Sequence, residues 1–438
     1  MFVDLYGARM VTSPPRAPVP RRRSRRTALG TLLVLALLAT AACSGSGSSP
    51  ADREGADGGN DGDTPPPVEL FTGTDEEFYV PPDPLPPGEP GDLIRVMEVS
   101  EAGGTATLKI MYHSRDAQDR DRPVTGLVTY PTTAAPEGGW PVVSTAPGTV
   151  GIAAHCGISH IAPDAPAWGI EGVRVMTDYI GLGAVGGPPH PYLSRPSEGH
   201  SVIDAVRAVR QLPDAHAGER WLSVGHSQGG HGALSAHELA DEYAAELDHV
   251  ATLAIAPAAL LDKVYGGIDP IVTGVLTAMA LYGGAGEHPE IDVDDYASPG
   301  LAAASDVLET GCLGEITDDL VGVVLGGGLF TTDPRTTEPA HSILLQNDVG
   351  TVAVDAPLFL VSGTADDRVV IDRVRDFYAR LCSVGQVTEL LIVDGAGHDS
   401  IVPDTTAQTS AWLQARLDGE DPTDSCAESP TAPPVASP

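Results

Sequence analysis

The sequence predicts an α/β fold: a mostly parallel sheet flanked by helices, with a helical cap inserted late in the chain. Three observations carry this. Strand-type apolar runs alternate with helix-type patterns from Val142 to Leu417, the order that builds a parallel sheet covered on both faces. Trp221-Leu222-Ser223-Val224 leads into Gly225-His226-Ser227-Gln228-Gly229, and helix-forming, Ala-rich sequence follows over 230–247, so the chain runs strand, tight turn, helix. Between Leu260 and Val352 the alternation lapses into apolar, Ala-rich stretches with helical spacing.

Taken in order, the 438 residues begin with a segment of targeting type. Arg21 to Arg26 form a basic cluster, and 27–42 are apolar or small throughout. That stretch is short of the roughly 20 residues a membrane span needs, but it suits a signal-peptide core. Ser24-Arg25-Arg26-Thr27-Ala28-Leu29 looks like a loose twin-arginine signal without its usual Phe, so the export route stays open. Cleavage after Ala42 would leave Cys43 first, in a setting that resembles a bacterial lipoprotein box with Thr40 where Leu is commonest. Cys43 is therefore the expected lipidation site and membrane anchor; a plain secretory signal with a chance cysteine is the competing reading. Residues 43–90, rich in Ser, Gly, Asp and Pro, are expected to be a flexible tether.

The fold is expected to start near Asp92. Residues 93–99, 106–112 and 124–130 are β-type runs between turns, an antiparallel opening. Val142-Val143 and 173–176 read as strands, and 197–211 as a helix on which Val202, Val206 and Val209 share a face. After the strand at 221–224 come a strand at 250–255, the cap at 260–350, a strand at 357–361, a helix at 371–381, a strand at 387–393 and a helix at 401–417. The core thus spans 91–259 and 351–420, and 421–438 is a polar tail.

The net charge is −35, and loss of 1–42 removes seven arginines and one aspartate, taking it to about −41. A chain this anionic should repel nucleic acid and anionic headgroups, which argues against a nucleic-acid role and for no particular substrate. Neither metal nor organic cofactor is implied, and nothing in the sequence speaks to oligomeric state.

The pentapeptide carries chemistry. A serine hydroxyl becomes a nucleophile when a base reaches it and a substrate carbonyl approaches unhindered, and a strained turn between strand and helix provides both. An ordinary Gly-rich turn is the bland reading in a chain with 50 glycines. The partners a nucleophile needs follow in order. Gly363-Thr364-Ala365-Asp366-Asp367-Arg368-Val369 closes a strand, and Asp366 fits the acid's register better than Asp367, which is held as the alternative. Asp394-Gly395-Ala396-Gly397-His398 closes the next strand and offers His398 as the base. An oxyanion hole needs two amides: one from Gln228, the other from Ala146-Pro147-Gly148-Thr149-Val150-Gly151, with Thr149 and Gly151 as candidates.

Here the sequence resembles a family, the secretory lipases of fungi and actinobacteria within the α/β-hydrolases. Tyr112-His113-Ser114 and Gly126-Leu127-Val128-Thr129-Tyr130-Pro131 look like its opening strands, and Gly148-Thr149-Val150-Gly151 is similar to its oxyanion loop, which Cys156 follows. Asp178-Tyr179-Ile180-Gly181-Leu182-Gly183, Pro189-His190-Pro191-Tyr192 and Asp204-Ala205-Val206-Arg207-Ala208 complete a likeness that spans roughly 88–417. Pro147 departs from it, standing where the family usually has His and donating no amide. The resemblance implies the α/β-hydrolase fold and a lipid or small-ester substrate. Five cysteines less a lipidated Cys43 leave four, for which three pairings exist; the resemblance favours Cys156 with Cys312 and Cys382 with Cys426.

The expectation is an exported serine hydrolase of carboxylic esters. Two rivals are weighed beside it. A serine peptidase or amidase of similar fold would often carry a propeller domain, and no repeat of that period is visible. A non-catalytic lipid-binding lipoprotein would not need Ser227, Asp366 and His398 together.

Overall fold

The computed structural model describes residues 68–428, except 69 and 265–268, together with 435–436. The leader at 1–42 and the lipidation candidate Cys43 lie outside the described residues.

The chain is packed earlier than its composition suggests. Helix α1 (Asp75–Phe78) opens on a capping box in which the Thr74 hydroxyl accepts from the Glu77 N–H and the Glu77 carboxylate from the Thr74 N–H. Phe78 and Tyr79 are buried with Met111 and Ala184, and Leu70 bridges to Val96. The reading of 43–90 as a tether is corrected for its last part. Few apolar residues stand here, but three aromatics, Phe71, Phe78 and Tyr79, reach the sheet and outweigh a Pro-rich composition.

Strands β1 (Leu93–Ala102), β2 (Thr105–Arg115) and β3 (Asp121–Pro131) form an antiparallel meander. Next come β4 (Trp140–Ala146), β5 (Val173–Thr177), α2 (Arg195–Arg210), β6 (Ala217–His226), α3 (Gln228–Tyr243) and β7 (Asp248–Ile255). Six helices follow: α4 (Leu261–Val264), α5 (Pro270–Glu287), α6 (Pro299–Ala304), α7 (Asp306–Thr310), α8 (Leu313–Gly326) and α9 (Ala340–Gln346). The chain then returns through β8 (Leu358–Gly363), α10 (Ile371–Val384), β9 (Thr388–Val393), α11 (Ile401–Leu417), α12 (Ser425–Glu428) and β10 (Val435–Ala436). The last is a two-residue strand alongside β9, within the stretch read as a polar tail.

The sheet order is β1-β2-β3-β5-β4-β6-β7-β8-β9-β10, antiparallel through the β3–β5 pair and parallel from β5 onward. Because β4 lies between β5 and β6, the winding reverses there, which makes the carboxyl ends of β4 and β6 the switch point where open α/β sheets bind ligands. The central strands are apolar in continuous runs because both faces are covered. Val142 and Trp221 pack with Val202, Val206 and Val209 of α2, whereas the neighbouring Val143 and Leu222 pack with Leu413 of α11 and Phe377 of α10.

The helices between β7 and β8 have a core of their own. Val275, Met279, Leu301, Leu308, Ile316 and Leu320 are buried together, joined by Ile152, Tyr192 and Leu193 from the loops beneath. The two ends of this insertion are clasped: the Asp348 carboxylate accepts from the Leu260 and Val349 amides and pairs with Arg380. The Glu238 carboxylate of α3 accepts from the Gly350 and Thr351 amides.

Both favoured disulfides are present. Cys156–Cys312, with Cα atoms 5.6 Å apart, joins the loop after β4 to the start of α8, and Cys382–Cys426 joins α10 to α12. They close loops of 156 and 44 residues, for which chain entropy allows about 5 and about 4 kcal/mol as upper bounds. Replacing Cys156 and Cys312 together with Ser is expected to lower the melting temperature and to speed hydrogen exchange in α5–α8 before the central strands. Uniform exchange rates across cap and sheet in that variant would contradict this order of loosening.

Candidate active site

Ser227 sits between β6 and α3 with φ 60° and ψ −119°, a conformation that costs a non-glycine residue on the order of 1–3 kcal/mol. The surroundings hold it there. Its N–H donates to the Ile255 carbonyl at 3.0 Å, and its own carbonyl accepts from His231 at 3.2 Å and Ala258 at 3.1 Å. The two flanking glycines are steric necessities: a Cβ on Gly225 would collide with the Gly229 carbonyl, and a Cβ on Gly229 with the carbonyl of Ala146 in β4. The turn therefore packs against itself and against β4, leaving Ser227 itself only partly buried.

His398 lies in the turn after β9. Its Nδ1 is 2.8 Å from Asp366 Oδ2, and its ring centroid is 4.5 Å from that of His226, the residue before Ser227. A carboxylate only accepts, so Nδ1 carries a proton and Nε2 is the ring nitrogen left for another partner. Asp366 Oδ1 in turn accepts from the amides of Arg368 at 2.9 Å and Val369 at 2.7 Å. Asp367 is exposed and makes no such contact with His398. The loops bearing Asp366 and His398 are laced together. Arg368 forks onto Asp399 at 2.8 and 3.0 Å, and the Thr364 hydroxyl donates to Asp394 and accepts from the Gly395 N–H. Burial, reinforced by the nearby His398, holds the His226 imidazole well below its usual pKa, so His226 packs on His398 as a neutral ring.

The loop 147–151 crosses above this pair of strands. Pro147, which cannot donate, instead accepts through its carbonyl from the Tyr179 hydroxyl at 3.1 Å. The Thr149 hydroxyl meets that of Tyr192 at 2.9 Å. Gly151, at φ 134°, is drawn to the cap: it bridges to Cys312, where a Cβ would stand 3.1 Å from the Cys312 Cα. Gln228 opens α3, so its N–H lacks an intrahelical acceptor and points with the helix N-terminus. Ser227, Gln228, Asp366 and His398 thus come to the carboxyl ends of β6, β8 and β9, parallel strands with β7 between the first and the second. Cys382–Cys426 joins other elements, at the end of α10 and in α12. His155 lies close to Cys156 and Cys312, but those sulfurs are bonded to each other and offer no thiolate to a metal.

One cluster had no place among the expected site residues. Glu198 of α2 is fully buried and accepts from Gln228 Nε2 at 2.8 Å, His231 Nδ1 at 2.7 Å and the Leu193 N–H at 3.0 Å. Gln228 Nε2 also lies 2.8 Å from His190 Nε2. A signal existed: Glu198 precedes Val202 and Val206 at spacings of four on the apolar face of α2, where a carboxylate is out of register unless it has partners.

Residues 170–425 match the secretory lipase family. No protein with a curated description matches the chain. Among solved structures, the chain is similar to Candida antarctica lipase A, at 16% identity over 83% of this chain and 89% of that one, with a TM-score of 0.67. The same lipase in its closed state matches at 17% identity over 82% and 89%, with a TM-score of 0.66. The rice cell wall degrading esterase LipA from Xanthomonas oryzae matches at 17% identity over 76% of this chain and all of that one, with a TM-score of 0.61. At such identities the likeness to these structures is one of fold.

The steric reading of the turn is testable. Gly229→Ala drives a methyl into the Ala146 carbonyl and should destabilise the protein by roughly 2 kcal/mol or more, seen as a lower melting temperature, whereas Gly230→Ser, next along the helix, should be milder because its nearest neighbour is Pro257 at 2.8 Å. Equal melting temperatures for Gly229→Ala and the parent would refute it.

Proposed function

The chain belongs to the secretory lipase family of carboxylic-ester hydrolases, and from that premise we propose that it is an exported serine hydrolase cleaving acylglycerols or other lipid esters through an acyl-enzyme. The observation that carries the reading is the contact of His398 Nδ1 with Asp366 at 2.8 Å, beside a serine held at φ 60° at the head of a helix.

In this mechanism His398 Nε2 takes the proton of the Ser227 hydroxyl as its oxygen attacks the ester carbonyl. Asp366 fixes the tautomer and offsets the charge of the imidazolium that forms. The negative oxygen of the tetrahedral intermediate is met by the Gln228 amide at the α3 N-terminus and by an amide of the loop holding Thr149 and Gly151. Collapse expels the alcohol, which receives its proton from His398, and leaves the acyl group on Ser227. Water, deprotonated by the same imidazole, then releases the acid. Tyr192, whose hydroxyl meets that of Thr149, is buried with Leu193 in the apolar core of the helices between β7 and β8, so apolar side chains stand next to this loop, as a lipid acyl chain requires.

Ser227→Ala is expected to abolish ester hydrolysis and fluorophosphonate labelling, a loss of about 10⁵-fold or more, while the protein still melts cooperatively. Asp366→Asn should cost about 10²- to 10⁴-fold in kcat and Asp367→Asn less than about twofold. Labelling that survives Ser227→Ala, or equal losses for the two aspartates, would overturn the assignment. Hydrolysis of peptide amides in preference to esters of graded chain length would favour a peptidase instead.

Export is supported by the family and by two disulfides, which persist in oxidising compartments. Anchoring at Cys43 is part of the same reading. Membrane-fraction protein should begin at a Cys43 bearing a diacylglyceryl thioether in mass spectra, and Cys43→Ala should move the activity to the medium; an unmodified N-terminus elsewhere would rule the anchor out.

A further inference from the structure

Glu198, Gln228, His231 and His190 form a buried polar cluster directly beneath the residue that follows Ser227. None of the steps above uses their side chains. Their protonation states follow from their partners. His231 Nδ1 faces the Glu198 carboxylate at 2.7 Å and its Nε2 faces the Asn347 carbonyl at 2.8 Å. Both are acceptors, so both ring nitrogens carry protons and His231 is an imidazolium. Burial alone would strip that charge, yet Glu198 and the Asn347 carbonyl outweigh it and raise the His231 pKa. Glu198, which burial would push up, is drawn down to about 2, chiefly by His231. His190 Nδ1 donates to the Ile180 carbonyl at 2.8 Å, which leaves its Nε2 free to accept.

Between these two acceptors lies the side-chain amide of Gln228. Its nitrogen donates one proton to Glu198 Oε1 and the other to His190 Nε2, both at 2.8 Å, while its oxygen meets no donor among the described residues. The hold on Gln228 is thus made entirely through its two N–H bonds, one of them charge-assisted. Asn347, which closes the chain of contacts, is the C-terminal cap of α9 and also accepts from the Arg195 N–H at the start of α2.

We infer that Glu198 is a positioning residue: by gripping the Gln228 side chain from a buried ion pair with His231, it aims the Gln228 backbone amide at the oxyanion. The inference rests on the reading of Ser227 as nucleophile and adds a requirement to it. The backbone amide of residue 228 exists whatever its side chain, so only its aim depends on Glu198. An oxyanion donor works when it is held to within about 0.5 Å, and a helix N-terminus frays unless something outside the helix restrains it.

The decisive variant is Gln228→Ala, which keeps the amide and leaves the Glu198–His231 pair intact. With a soluble short-chain ester and enzyme concentration set by active-site titration, kcat should fall about 10- to 100-fold while KM stays within about twofold. Glu198→Ala should fall as far, and the double variant no further than the worse single one, because the two residues act as one unit. Glu198→Ala strands a buried charge and can fail to fold, so Glu198→Gln is the companion. Its amide oxygen still accepts from Gln228 and its amide nitrogen can donate to a neutral His231, and kcat should return to within about threefold of the parent.

Parent-level kcat in Gln228→Ala would overturn the inference alone, as would a loss that disappears once active sites are titrated. So would a Glu198→Gln enzyme with full site occupancy and a kcat as low as that of Gln228→Ala. A parent enzyme whose turnover does not depend on Ser227 would overturn the functional reading and this inference with it.

Discussion

The structure depends on a close approach that only glycine permits. With no side chain at Gly225 or Gly229, β6 and α3 meet nearly end to end, and α3 rests against the last carbonyl of β4. That contact forces Ser227 into its positive-φ conformation and determines where everything else must come. The loop after β4 lies against the turn, the residue after Ser227 lies at the head of a helix, and the loops bearing Asp366 and His398 follow β8 and β9. The strain is sustained by Ser227's own backbone bonds to Ile255, Ala258 and His231, so it is held by three elements rather than one.

The cap is bound to this arrangement at three places of different chemistry. A disulfide and a backbone bridge join α8 to the loop after β4. Buried carboxylates of Asp348 and Glu238 clasp the points where the chain enters and leaves the sheet. The cap core shares Ile152, Tyr192 and Leu193 with the loops below it. The cap and the loop 147–151 are thus parts of one packed body.

Beneath the turn at Ser227 the protein buries charge, which is costly unless each charge is paired and each proton has an acceptor. Glu198 meets that condition with His231, Gln228 and the Leu193 amide. The His226 ring takes the opposite course, staying neutral beside His398. Two histidines a few residues apart therefore differ in charge because one faces a carboxylate and a carbonyl and the other faces a second imidazole.

Much of this was legible in the residue order, because local features are written locally. Continuous apolar runs announced strands covered on both faces; the period of Val202, Val206 and Val209 announced α2; and the glycines around Ser227, with an acid and a histidine at successive strand ends, pointed to one crevice. Cysteine arithmetic reduced the disulfides to three pairings and could go no further. What remained required the folded chain. Register favoured Asp366 and left Asp367 as the alternative; which carboxyl of the pair meets His398 shows only in the fold, and the packing of Phe78 and Tyr79 turns on a sheet surface formed later in the sequence. The ion pair of Glu198 with His231, and its grip on Gln228, join residues 30 or more positions apart. No local period or turn signal encodes such contacts, since their energies exist only once water has been expelled from between the elements that carry them.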